Sequence, residues 1–312
     1  MQEDEGQSTE SSAVGANAEN RLAVFSQYRG LLFSIAYRML GSVADTEDIL
    51  QEAFMRWQRA EASEIQSMRA YLVTIVSRLC INYLESARVR REEYVGQWLP
   101  EPVVTAPGAD PYSVLQVDES LSMAFLVLLE RLSPVERAVF LLREVFDCDY
   151  PEIALTLGKD EANCRQILSR AHGHVANIRP RFEVSPLKRE KLLSEFLLAA
   201  ATGNLAGLIS ILAADAILYS DGGGKGPAVP NLVHGADRVA RALLGSMGKL
   251  VPRDLTSRLA EINGQPGVVS YRQGQPYAVV TLDIAEERIR SVYIISNPEK
   301  LAHLPKLPAA PC

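Results

Sequence analysis

Residues 150–172, YPEIALTLGKDEANCRQILSRAH, read as two short helices joined by a turn. Pro151 suits a first helical turn, Ile153, Ala154 and Leu157 form an inward face, and Gly158 can end the run. Asp160 is placed to cap a second helix, in which Ala162, Ile167 and Leu168 are the packing positions. Asn163, Arg165, Gln166, Ser169 and Arg170 then remain toward solvent. A short helix fits the DNA major groove, where Arg and Gln pair with base edges while Arg and Ser hold phosphates. Residues 153–181 carry five Lys/Arg against two Asp/Glu, a modest local surplus. A helical hairpin with a solvated polar face has the same pattern, as surface histidines account for His172 and His174, so the segment's meaning depends on its neighbours.

Just upstream, Ser133 and Pro134 start a helix, with Glu136 three residues on completing a capping box. Val139, Leu142 and Val145-Phe146 supply its buried face. Further upstream, DTEDILQEAFMRW at 45–57 sets Asp45, Asp48 and Glu52 at helical spacings of three and four. With no histidine near in sequence, these acids point to a protein-docking or solvated face, not acid–base chemistry. Phe25, Leu32, Ala36, Met39 and Leu40 make one apolar stripe. Ile49, Ala53, Phe54 and Trp57 make a second, and Tyr71, Leu72, Ile75, Val76 and Leu79 a third; together they predict a helical bundle. Arg78, Asn82, Arg88, Arg90 and Arg91 continue it as a polar, basic stretch suited to phosphate and base contacts. Tyr71 and Tyr83 are available for stacking on an exposed base or for the core.

The whole chain sets the bounds. Its 312 residues, 47% of them hydrophobic, suit two or three domains. A net charge of −6 argues against a surface that coats nucleic acid generally, without excluding a local basic patch. The sequence has no apolar run of membrane-spanning length and no signal-peptide pattern, which predicts a cytoplasmic protein. Cys80, Cys148, Cys164 and Cys312 lack metal-ligand or redox spacing, so neither metal nor cofactor is expected. Residues 1–20, with five acids and no basic residue, read as a mobile tail before a domain at 21–95. Four prolines in GQWLPEPVVTAPGADPY mark 96–116 as a linker, with Trp98 and Leu99 as docking anchors. The helix-turn-helix domain occupies 117–179, and 180–186 is a second short linker.

From 187 to 312 the character changes. Helices near Leu187–Ala201 and Leu205–Leu212 precede β-branched, alternating segments at Ala216–Ser220, Gly267–Tyr271, Tyr277–Ile284 and Arg288–Ile295, giving an α+β domain with a curved sheet. Asp221-Gly222-Gly223-Gly224-Lys225 permits a tight backbone path and close approach by another surface, and lacks the full phosphate-loop pattern. Asp215, Asp221, His234, Asp237 and Asp283 are the groups able to serve proton transfer if they converge, although Asp237 also suits a helix cap and a lone His234 a structural role.

The ordered pair of helical units resembles the two core domains of bacterial extracytoplasmic-function (group IV) sigma factors, over roughly residues 21–178. DTEDILQEAFMRW is similar to the polymerase-docking helix of sigma region 2, and MRAYLVTIVSRLCINYLESARVRRE to its promoter-opening continuation. LSPVERAVFLLREVFDCDYPEIALTLGKDEANCRQILSRAHGHV is similar to sigma region 4. The resemblance implies an all-α region 2 bundle and an all-α region 4 helix-turn-helix domain. It assigns Asp45, Glu47, Asp48, Gln51 and Glu52 to core RNA polymerase, Arg78, Asn82, Arg88 and Arg90 to the −10 side of promoter DNA, and Asn163, Arg165, Gln166, Ser169 and Arg170 to the −35 side. Tyr71 stands where members often carry tryptophan, and Cys164 and His172 where many carry valine and arginine. The last third resembles a cone-shaped α+β SnoaL-like domain, and WLPEP at 98–102, DGGGK at 221–225 and NPEKL at 297–301 resemble the signatures of sigma factors carrying this fused extension. That implies control in cis through Trp98, Asp221, Gly222, Gly223, Gly224 and Lys225, a stress-responsive role, a protein monomeric when free, and a small-molecule ligand as a further partner of the last domain. The other readings are a conventional DNA-binding regulator and a sigma-like protein whose last domain is a sensor or an enzyme.

Overall fold

Apolar residues at helical spacing order the first part of the chain, and strands of alternating polarity order the last. The computed structural model describes residues 5–60, 65, 67–92, 94–105, 121–175 and 185–307; the side chains of 5–20, 87–92 and 248–250 lie outside that description. The chain forms two compact units. One holds the residues up to Leu40 with Ala44–Glu85 and Ser133–Ala171, the other Gly41–Val43, Ser86–Leu132 and the chain from His172 onward.

In the first unit, α1 (Glu5–Leu40) buries its whole expected stripe, and α2 (Val43–Arg59) and α3 (Met68–Glu92) bury most of theirs, with Phe54, Tyr71 and Ile75 half-buried. Phe25 of α1 meets Phe54 of α2 edge to face, centroids 5.1 Å apart, and Trp57 of α2 meets Tyr71 of α3 at 6.1 Å. Arg21 donates to the carbonyls of Trp57, Gln58 and Ala60 at 2.6–2.9 Å, satisfying the open C-terminal end of α2. Helix α1 runs unbroken from Glu5, across the stretch read as a tail.

The helix-turn-helix follows α5 (Pro134–Glu144), whose Ser133–Glu136 capping box is formed. Arg137 of α5, almost wholly buried, donates to the Met39 carbonyl at 2.5 Å and ties this module to α1. Next come α6 (Tyr150–Leu157) and α7 (Glu161–Val175).

The second unit is built on six strands: β1 (Leu212–Asp221), β2 (Val233–His234), β3 (Leu255–Ile262), β4 (Gln265–Arg272), β5 (Gln275–Ala285) and β6 (Arg288–Ile295). Their order is β2-β1-β6-β5-β4-β3, antiparallel throughout except for the parallel β1–β6 pair. The edge strand β3 escaped the sequence reading because most of it is exposed and polar, so it has no apolar alternation to reveal it. The other long strands lie where alternation predicts them.

Side chains alternate across this sheet and generate two cores. Leu218, Val268, Leu282 and Val292 face α8 (Pro186–Ala201), α9 (Leu205–Ile211) and α10 (Ala236–Leu250). Their sequence neighbours Tyr219, Val269 and Tyr293 face the opposite way, with Ile295, onto Leu99, Val104, Met123 of α4 (Met123–Leu129) and Leu301 of α11 (Pro298–Leu301). Residues 99–105 are therefore core-forming. Val104 bridges Ile262, and Asn263 both donates to and accepts from the Val103 backbone, at 2.8 and 3.0 Å. Helix α10 starts after Gly235, and Asp237 pairs with Arg241 at 2.9 Å in place of the expected cap.

Candidate functional site

Local chemistry sets the helix-turn-helix. Asp149 caps α6 and forms a capping box with Glu152, a start signal two residues ahead of the Pro151 that the sequence reading used. Gly158 sits in the left-handed region at φ +62° and closes α6 by donating to the Ala154 and Leu155 carbonyls. Asp160 Oδ1 accepts from the Asn163 N–H at 2.8 Å, the expected cap of α7.

Along α7 the buried positions are Cys164, Ile167, Leu168, Ala171 and Val175, spaced by three and four. Ala162 is exposed, which corrects its assignment as a packing residue: Cys164 occupies the inward register, and burial pushes its thiol pKa up. Arg165, Gln166, Ser169 and Arg170 are exposed together and Asn163 is half-buried beside them. Arg165 lies over the Tyr150 ring at 4.4 Å and pairs with Glu161 at 2.8 Å, which fixes its stem while leaving the side chain about half exposed.

On α2, Asp48 and Gln51 are exposed and Asp45 and Glu52 half-buried. Asp45, Asp48 and Glu52 share a face by spacing, and Glu52 pairs with Arg56 at 2.8 Å. Glu47 turns aside: both its oxygens accept from Arg29 of α1 at 2.7 Å.

On α3, Arg78 and Asn82 lie one turn apart and exposed. Arg78 donates from Nε to the Thr156 carbonyl at 2.7 Å and from Nη2 to the Leu155 carbonyl at 3.0 Å, so it caps the C-terminal end of α6. Thr74 and Thr156 hydroxyls meet at 3.2 Å beside it. Arg88 and Arg90 fall within α3, with side chains outside the described residues.

In the second unit, three separated motifs converge on one carboxylate. Asp221, fully buried, accepts from Tyr94 Oη at 2.6 Å, the Leu99 N–H at 2.8 Å and the Gly223 N–H at 3.0 Å. Lys300, also buried, pairs with it at 2.7 Å, donates to the Leu99 carbonyl, and lies 4.2 Å from the Trp98 ring centre. Asn297 donates to Tyr94 Oη at 2.9 Å. Burial first, and then the bond to Asp221, push the Tyr94 phenol well above its usual range, so it stays a neutral donor. The glycines are needed for proximity: a Cβ on Gly222 would stand 2.3 Å from the Gly226 carbonyl oxygen, and one on Gly223 2.3 Å from Asn297 Nδ2. Gly224, at φ +71°, approaches Val95, while Lys225 is exposed and pairs with Glu299. Tyr94, Asn297 and Lys300 were not among the residues expected here; the NPEKL motif was the signal that held two of them.

The proton-transfer candidates do not converge. Asp215 pairs with Arg290 at 3.3 Å on the surface, His234 and Asp237 are exposed, Asp283 lies elsewhere on the sheet, and Asp221 is spent on the linker. Among the described residues no cluster of His, Cys, Asp or Glu could hold a metal ion.

Residues 24–90 match the Sigma-70 region 2 family and residues 122–174 the Sigma-70, region 4 family. The ECF RNA polymerase sigma factor SigJ of Mycobacterium tuberculosis is 36% identical over 292 residues, covering 90% of this chain and 93% of that protein. The probable ECF RNA polymerase sigma factor SigI of the same species is 31% identical, covering 89% and 94%. The crystal structure of M. tuberculosis SigJ superposes with a TM-score of 0.74 at 34% identity, over 90% of this chain and 98% of that one. The two Sigma-70 family matches and relatives matched nearly end to end agree: the chain belongs to the extracytoplasmic-function (group IV) sigma factors.

Proposed function

We propose that this sigma factor docks on core RNA polymerase through Asp45, Asp48, Gln51 and Glu52, with Glu47 at the margin. It reads the −10 side with Arg78, Asn82, Arg88 and Arg90 and the −35 side with Asn163, Arg165, Gln166, Ser169 and Arg170. Polymerase supplies the nucleotide-transfer chemistry, and the work is done in the cytoplasm. The exposure of Arg165, Gln166, Ser169 and Arg170 on α7 and of Asp48 and Gln51 on α2 supports these assignments. The domains are 21–95, 117–179 and 187–312, the last a SnoaL-like cone in which helices α8–α10 close over one face of the sheet.

The last domain controls the other two in cis by restraining the segment that joins them. The observation carrying this is the buried Asp221–Lys300 pair, which grips Tyr94, Trp98 and Leu99. Arg78, engaged by α6, supports a resting state in which a −10 residue is withheld from DNA. Run-off transcription with core polymerase tests the reading in the full chain. Asp221→Ala is expected to raise transcript yield per bound polymerase from the same start site. Equal yield would reject cis control, and a fall would make the domain an assistant of the bound state. Failure of the native chain to bind core polymerase would reject the docking assignment itself.

A further inference from the structure

Between α8, α10 and the sheet lies a cavity of about 410 Å³, within the range of small-molecule sites. Phe196, Leu243, Met247, Val268, Tyr277 and Ile294 are among the residues of its wall. No Asp, Glu, Lys, Arg or His lines it among the described residues; its polar groups are chiefly the hydroxyls of Ser220, Ser246, Ser257, Ser270, Ser296 and Tyr277. The serines have local partners: Ser257 and Ser270 bond each other at 3.0 Å, Ser246 donates to the Leu243 carbonyl, and Ser220 accepts from the Val229 N–H at 3.1 Å. Apolar walls offer water few hydrogen bonds, and an empty space of this size forfeits dispersion contacts. The site suits an uncharged, mostly apolar molecule with at most a hydroxyl or carbonyl. An ionised ligand would be buried without a countercharge.

Strand alternation places the restraint directly behind this cavity. Ser220 faces the cavity and Asp221 the linker; Ser296 faces the cavity and Asn297 holds Tyr94. Pro227, Ala228 and Val229, also in the wall, belong to the loop that starts with the glycines. Ser296 Oγ donates to the Pro227 carbonyl at 2.5 Å, and its N–H donates to the Asp221 carbonyl at 2.8 Å. An occupant pressing on Ser220, Ser296 or Pro227–Val229 therefore presses on the atoms that position Asp221.

We propose that the cavity binds a neutral, predominantly apolar small molecule and that its occupancy sets how tightly Asp221 holds residues 94–105. The second half rests on the cis control proposed above. Fluorescence titration of the full chain with neutral N-phenyl-1-naphthylamine is the test, with 1-anilinonaphthalene-8-sulfonate as the charged comparison. The neutral probe should bind one per chain. Ala278→Trp on β5 and Ala200→Trp on α8, each filling the cavity from a different wall, should weaken it by at least about tenfold while the far-ultraviolet circular dichroism stays native. Binding unchanged in both folded variants, or an equal affinity for the sulfonate, would overturn the ligand class. Saturating neutral probe should also change hydrogen exchange at the Leu99 amide by at least about threefold. Binding without that change would overturn the coupling. Neither measurement uses polymerase or DNA, so a failure here is distinct from a failure of cis control in transcription.

Discussion

Asp221 shows what a buried carboxylate needs. Taking it and Lys300 out of water costs several kcal/mol each, offset only if charge and hydrogen bonds replace hydration. Tyr94, Leu99 and Gly223 supply three donors beside the lysine. Removing the acid leaves Lys300 buried alone, so Asp221→Ala should destabilise the second unit by about 3–5 kcal/mol in denaturant unfolding. Glu101 is a second buried acid. Burial raises its pKa above the ordinary 4.5, partly countered by the Val43 N–H at 2.7 Å and by His303. The folded state thus holds this proton to a higher pH than the unfolded state, and stability from Glu101 falls as pH rises from 4.5 through the raised value. Glu101→Gln should flatten that slope in thermal melts across the acid range, and an unchanged slope would assign it to other groups. Neither acid's role is legible from sequence alone. The sequence placed Asp221 in a turn open to a contacting surface but could not name its partners, which apart from Gly223 lie 79 to 127 positions away.

At the scale of elements, legibility follows the range of the forces. Ser133–Glu136, Gly158 and Asp160 act within four residues, so the helix-turn-helix could be read directly from the chain. Ala162 was misplaced because alanine suits either face of a helix, and only the register of Cys164, Ile167 and Leu168 decides. The acidic pattern of α2 was visible too, but not the capture of Glu47 by Arg29. The outward side of α7 should carry −35 recognition. Arg165→Ala and Arg170→Ala are each expected to weaken promoter binding by about 1–3 kcal/mol if they contact bases, read by footprinting at fixed salt. On α2, Asp48→Lys with Glu52→Lys should abolish capture of core polymerase in a pull-down and leave the helix intact. Asp48 is exposed and Glu52 is paired only at the surface with Arg56, so undiminished capture would remove this face from the docking site.

Across the whole molecule, the class of each part was legible because helical and alternating periodicities differ so sharply. The part played by 99–105 was legible only at Leu99, read as a docking anchor: proline-rich sequence reads as linker, while Leu99 and Val104 are both core residues of the α+β unit. That unit cannot complete its second core without the segment joining the two helical domains. Its sheet is one chain thick, with Ser220 and Asp221 on opposite sides. A single-residue insertion in β1 just before them would exchange the two, sending the acid among apolar walls and the hydroxyl toward Lys300. The separation of cavity from restraint is therefore a matter of parity, and a one-residue change in the length of the strand preserves it only where a bulge, like the irregularity β1 already has between Leu212 and Ile217, takes up the difference.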